Sequence, residues 1–108
     1  MTFLEIEKEI KNLHSGEKAQ LFHLLAMDIS KNFPGIEKLQ GVCGGSACVV
    51  RTRIPIWSLE YCRRNGLSEA QILFDYPTLR AADLVSAWGY VSLNQLEIDK
   101  EIQENLDA

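Results

Sequence analysis

From Gly44 to Thr78 the chain switches repeatedly between instructions for extended structure, helix and turn. Gly44-Gly45 and the branched pair Val49-Val50 lead to Pro55, which suits the first turn of a helix because its missing amide hydrogen has no partner there. Apolar Ile56, Leu59, Tyr61 and Cys62 follow, and Asn65-Gly66-Leu67-Ser68 then stops that helix and starts another. Gly66 fits a left-handed C-terminal cap and Ser68 an N-cap. Ile72, Leu73 and Phe74 carry the second helix until Tyr76-Pro77-Thr78 breaks it. Helices this short do not hold alone in water, so they must close on a shared core as a compact helix-turn-helix unit.

The flanks complete a mainly α architecture. Thr2-Phe3-Leu4-Glu5 reads as a capping box, and Phe3, Ile6, Ile10 and Leu13 form one apolar stripe, predicting a helix over about 3–13. Ser15 is placed to cap a second helix through about Lys31, with Leu21, Phe22, Leu25 and Ile29 on one face and Leu24 beside them. This N-terminal helical hairpin, residues 1–31, either lies on the core or serves as a dimerisation or partner-binding arm. Cys43 to Val50 reads as a small β-hairpin, with Gly44-Gly45 supplying the positive φ of its turn. From about Arg80 one long helix is expected to run to near the end, since Leu84, Val85, Trp88, Val91, Gln95, Ile98 and Ile102 keep a helical rhythm. Residues 41–108 thus form the helix-turn-helix unit, and at 108 residues the whole is expected to be a single domain. Trp57 and Trp88 are expected as core anchors, with interface anchoring the alternative.

Several chemistries find no support in the residues. There is no phosphate loop ending in Lys-Ser/Thr, no H-E-x-x-H, and no serine with a convincing His and acid partner, so no enzyme is expected. Cys43 and Cys48 could hold half of a zinc site, but Cys62, His14 and His23 do not supply the other half at a matching spacing; no metal or cofactor is expected. The odd cysteine count fits reduced thiols, and the N-terminus lacks a signal-peptide pattern; a cytoplasmic protein with no membrane association is expected.

Charge is distributed unevenly within a net −4. Every arginine, Arg51, Arg53, Arg63, Arg64 and Arg80, lies between residues 51 and 80, where there is no lysine. The guanidinium fork suits bidentate recognition of carboxylate or phosphate, which a lysine point charge does not. The competing reading is that these arginines pair with local acids such as Glu60, Glu69, Asp75 and Asp83. Residues 41–90 carry five Arg against four acids, and residues 91–108 carry Lys100 against five acids. So small a basic surplus means that nucleic-acid binding would need a dimer to bring two arginine patches together.

Residues 41–90 resemble the domain-of-unknown-function family 433. The resemblance is carried by Gly44-Gly45, then Val49-Val50-Arg51-Thr52-Arg53-Ile54-Pro55-Ile56-Trp57, Asn65-Gly66-Leu67-Ser68 with Gln71-Ile72-Leu73, Asp75-Tyr76-Pro77 with Leu79, Asp83-Leu84 with Ala87, and Tyr90. One departure is that the family usually has a Pro and a Gly near Ala47 and Arg51. Leu13 to Leu21 is similar to a segment of short addiction-module proteins. The resemblance implies a homeodomain-like three-helix fold and a role as antitoxin to a PIN-like ribonuclease toxin. Since a PIN-like site is lined by metal-binding acids, Arg51, Arg53, Arg63 or Arg64 becomes a candidate inhibitor, Arg53 foremost, and a homodimer is implied that represses its own operator DNA. The alternatives are a stand-alone DNA-binding regulator, whose recognition helix would present Thr78, Arg80, Ala81 and Asp83 to the groove, and a homodimeric protein-interaction module.

Overall fold

A computed structural model describes residues 1–29, 33–38, 41 and 43–107. The fold is mainly helical with a small antiparallel two-stranded sheet. It divides into two compact units, Met1–Lys31 and Asn32–Ala108.

The first unit contains α1 (Phe3–Lys11) and α2 (Ser15–Ile29). Thr2 caps α1 as its sequence suggests, its Oγ1 accepting from the Glu5 amide at 3.3 Å. The cap of α2 is not Ser15 but His14. The Glu17 amide donates to His14 Nδ1 at 3.3 Å, and the His14 amide donates to Glu17 Oε1 at 3.2 Å. An imidazole acceptor thereby reproduces the reciprocal pair of a capping box. None of the described residues of either helix is buried. The predicted extension of α2 to Lys31 falls outside the described residues.

The second unit contains β1 (Ile36–Glu37), a one-turn 3₁₀ helix (Cys43–Gly45), β2 (Cys48–Val49), and α3 (Ile56–Arg64), α4 (Glu69–Asp75), α5 (Ala81–Leu93) and α6 (Gln95–Leu106). Its core is formed by Val49, Ile56, Leu59, Ile72, Leu84, Ala87 and Ile98 among others, with α3 packed against α4, α5 and α6. Each fully buried Leu or Ile contributes on the order of 1.5–3 kcal/mol. Trp57 and Trp88 pack against this core, partly buried.

Local sequence accounts for the α3–α4 junction closely. Gly66 adopts φ 90°, its amide donates to the Arg63 carbonyl, and the Leu67 amide donates to the Cys62 carbonyl. Those two bonds form a Schellman motif, satisfying carbonyls that the helix end leaves open. Ser68 then caps α4 in a capping box with Gln71.

Two expectations are corrected. Cys43 to Val50 is not a hairpin: β2 pairs upstream with β1, in the register Ile36↔Val49 and Glu37↔Cys48. Gly44 and Gly45 do take positive φ, but within the 3₁₀ turn. The long C-terminal helix is also broken, at Asn94 (φ −134°, ψ 40°). There the Asn94 side-chain amide donates to the Tyr90 carbonyl and its backbone amide to the Val91 carbonyl, so local bonding competes with helix continuation. The break lets α6 bury Ile98 and Ile102 against α3.

Among the described residues no helix is long and apolar enough to cross a membrane.

Candidate functional site

Two carboxylates organise four of the five arginines. Glu60, one turn from the end of α3 and only 4% exposed, accepts from Arg63 and Arg64. Their separations of three and four residues put all three side chains on one helical face. Arg64 also donates to Asp99 Oδ1 on α6 at 2.6 Å, linking two helices 35 positions apart in the chain. Hydrogen bonds to Asp99 and then Glu60 raise the guanidinium pKa above its ordinary value. The Arg63 guanidinium carbon lies 4.2 Å from the centroid of a Trp88 ring, a cation–π contact, and Trp88 Nε1 donates to Glu69 Oε1 at 2.8 Å.

Asp83, 7% exposed, is the second organiser. It stands in the first turn of α5, where a negative charge is favoured by the helix dipole. It accepts the Arg80 amide at 2.8 Å and lies 3.8 Å from Arg80 Nε and 3.6 Å from Arg51 Nη2. Arg51 itself has φ 72°. With the Thr52 amide donating to the Val49 carbonyl, it occupies the third position of a turn that favours glycine there. Arg53 is exposed in the loop between β2 and α3, and Thr78 is exposed in the turn between α4 and α5.

The six candidate residues therefore fall into three settings. Arg63 and Arg64 gather on Glu60, Arg51 and Arg80 gather on Asp83, and Arg53 and Thr78 stand on separate loops. The pairing of arginines with local acids holds for Glu60 and Asp83, while Glu69 instead serves Trp88. The i, i+3 and i, i+4 spacing around Glu60 was readable in the sequence; Asp99 was not, because no local pattern announces a contact between α3 and α6.

The outward face of α5 carries a feature that composition alone conceals. Ala81, Ala82 and Val85 are exposed, Val85 at 70%, and at 100° per residue they share about a third of the helix circumference. The opposite arc buries Asp83, Leu84, Ala87, Tyr90 and Val91. On α4, Phe74 is 85% exposed and lines a pocket of about 360 Å³ with Leu67, Ala70, Gln71 and Asp75. Among the described residues no group of three or more His, Cys, Asp and Glu is arranged to hold a metal ion.

Comparison with known proteins agrees with this architecture. The crystal structure of a DUF433 member protein from Anabaena variabilis is similar at a TM-score of 0.63 and 35% sequence identity, over 95% of this chain and 99% of that one. None of the curated proteins matches the chain significantly. The family profile described as protein of unknown function (DUF433) matches residues 36–91, from β1 to near the end of α5 and just over half of the sequence; the chain belongs to the DUF433 family.

Proposed function

We propose that this chain is a non-enzymatic, antitoxin-like protein that neutralises a PIN-like ribonuclease by direct protein contact. The observation that carries the reading is the exposed apolar face of α5. A helix that reads the major groove presents polar and cationic side chains to base edges and phosphates. Here the corresponding arc offers Ala81, Ala82 and Val85, and Arg80 beside it is held to Asp83. An apolar patch with an arginine at its edge suits the apolar core and charged rim of a protein interface. Arginines oriented by carboxylates also lose less rotamer freedom on binding than unrestrained ones. Arg53, on its exposed loop, is the residue assigned to the acidic metal-binding pocket of the nuclease.

Val85→Lys separates this reading from a stand-alone DNA-binding regulator. A lysine there should cost a protein interface about 2 kcal/mol, roughly thirtyfold in affinity, while strengthening any phosphate contact. The test titrates the variant against the nuclease in an RNA-cleavage assay and against operator-length duplex DNA at two salt concentrations. Loss of neutralisation with no gain in DNA affinity supports the antitoxin reading. Full neutralisation, or tighter and salt-sensitive DNA binding, rejects it in favour of the regulator.

A further inference from the structure

The α3–α4 junction holds a reactive pair of residues that its own geometry restrains. Asn65-Gly66 is the one place in the chain where an asparagine precedes a glycine, and no aspartate precedes one. With no Cβ on Gly66, its amide nitrogen is sterically open to attack the Asn65 side-chain carbonyl. The attack forms a bond from Gly66 N to Asn65 Cγ and breaks the Cγ–Nδ2 bond, closing a succinimide. The Gly66 amide proton leaves with the side-chain nitrogen as ammonia. Water then opens the ring at either carbonyl, giving aspartate or the isomer linked through its β-carboxyl.

The folded junction opposes that attack. Asn65 has ψ 8°. That angle turns the Gly66 nitrogen roughly a third of a revolution about the Cα–C bond away from Cβ, whereas ring closure needs the two nearly eclipsed. The Gly66 amide is also engaged, donating to the Arg63 carbonyl at 3.0 Å, and Asn65 Nδ2 donates to the Tyr61 carbonyl at 2.7 Å. Leu67 fixes the far side of the turn, its amide donating to the Cys62 carbonyl at 3.2 Å and its side chain packed against the core. Rotating the Asn65-Gly66 peptide into the attacking position breaks the Schellman bonds.

The product does not rebuild the junction. An ionised aspartate has no N–H for the Tyr61 carbonyl, and it sets a negative charge at the C-terminal end of α3, where the helix dipole disfavours it. The β-linked isomer lengthens the backbone by one carbon and so displaces the Gly66 and Leu67 amides from their acceptors.

From this geometry we infer that Asn65 is a spontaneous deamidation site gated by the α3–α4 junction, a one-way device in which opening permits the modification and the modification disfavours reclosing. The inference does not depend on what the second unit binds.

Peptide mapping of the full chain after incubation in mildly alkaline buffer tests it. Trypsin releases residues 65–80 as one peptide, and fragmentation assigns the mass gain of amide to acid to Asn65 rather than Gln71. Folded wild type should convert at least about tenfold more slowly than the chain in urea, because attack requires local opening. Leu67→Ala leaves Asn65-Gly66 intact; it should speed conversion in native buffer at least about threefold without changing the rate in urea, tryptophan fluorescence confirming that it is folded. Hydrogen exchange of the Gly66 amide is a readout that needs no destabilised variant, and its protection in wild type should match the slowing of conversion within about threefold. In Asn65→Asp that amide should exchange at least about fivefold faster. Equal conversion in native buffer and urea, no conversion in urea, a folded Leu67→Ala as slow as wild type, or unchanged exchange in Asn65→Asp would each overturn the inference.

Discussion

Replacing Arg51 by glycine should stabilise the protein, although the change deletes an ion pair. Arg51 is the single non-glycine residue with positive φ among the described residues, at 72°. A side chain with a Cβ pays about 1–2 kcal/mol in that left-handed region, while glycine loses roughly 0.5–1 kcal/mol more chain entropy on folding. The Arg51–Asp83 pair, at 3.6 Å with the arginine side chain 54% exposed, contributes no more than about 0.5 kcal/mol after solvent screening. Asp83 keeps its bond from the Arg80 amide in either case. Arg51→Gly should therefore gain about 0.5 kcal/mol, and Arg51→Ala, which loses the pair and keeps the strain, should lose up to about 0.5 kcal/mol. The gap between Gly and Ala is free of the ion pair and should be near 1 kcal/mol, or about 4–8 °C in Tm for a unit of this size. Urea melts followed by tryptophan fluorescence measure it. An alanine variant as stable as the glycine variant would refute the reasoning and mean that the turn relaxes away from positive φ.

Three further outcomes follow from the second unit. Gly89→Ala should push the Phe33 ring aside, because a Cβ there would lie 2.9 Å from Phe33 Cζ; the overpacking cost of about 1–3 kcal/mol is offset by about 1 kcal/mol of helix propensity inside α5, so the net loss should not exceed about 2 kcal/mol, and loss of the edge-on contact with Tyr90, at 5.6 Å, would show as shifted aromatic resonances. Glu60→Gln should cost on the order of 1–2 kcal/mol, since it removes the buried charge and turns one of the two acceptor oxygens, each of which takes a guanidinium N–H, into a donor, and it should change Trp88 emission as Arg63 leaves the ring. Burial and then the hydrogen bond to Glu97 raise the Tyr90 phenol above its ordinary pKa. The folded state then holds this proton after the unfolded chain has lost it, so the contribution is complete below about pH 10 and declines as pH rises beyond it; alkaline melts of Tyr90→Phe should lack that part of the decline.

How much of this was readable in the sequence depended on the range of the deciding interaction. The Asn65–Ser68 junction and the Thr2 cap are set by residues within one turn, and both formed as their side-chain chemistry dictates. The Asn94 break was hidden because Val91 and Ile98 are seven residues apart, two helical turns, so the apolar rhythm continues across it. The partner of β2 was hidden for another reason. Two-residue strands carry no alternation pattern, and β1 lies beyond the glycine-rich segment that invited a local hairpin. At the candidate site the clustering of arginines and the local spacings around Glu60 and Asp83 were plain, but the approach of Arg51 to Asp83 and of Arg64 to Asp99 depends on tertiary contacts that no local pattern announces. His14 was passed over as a cap because Ser15 is the commoner choice; the acid three residues after His14 was the available signal.

The most direct test of the central claim captures partners on the tagged chain from its own cells after nuclease treatment, then titrates the retained ribonuclease with wild type and Arg53→Ala in an RNA-cleavage assay. The account predicts a small PIN-like ribonuclease that wild type silences and Arg53→Ala leaves active. Retention of no ribonuclease once DNA is removed, or full silencing by a folded Arg53→Ala chain, would contradict it.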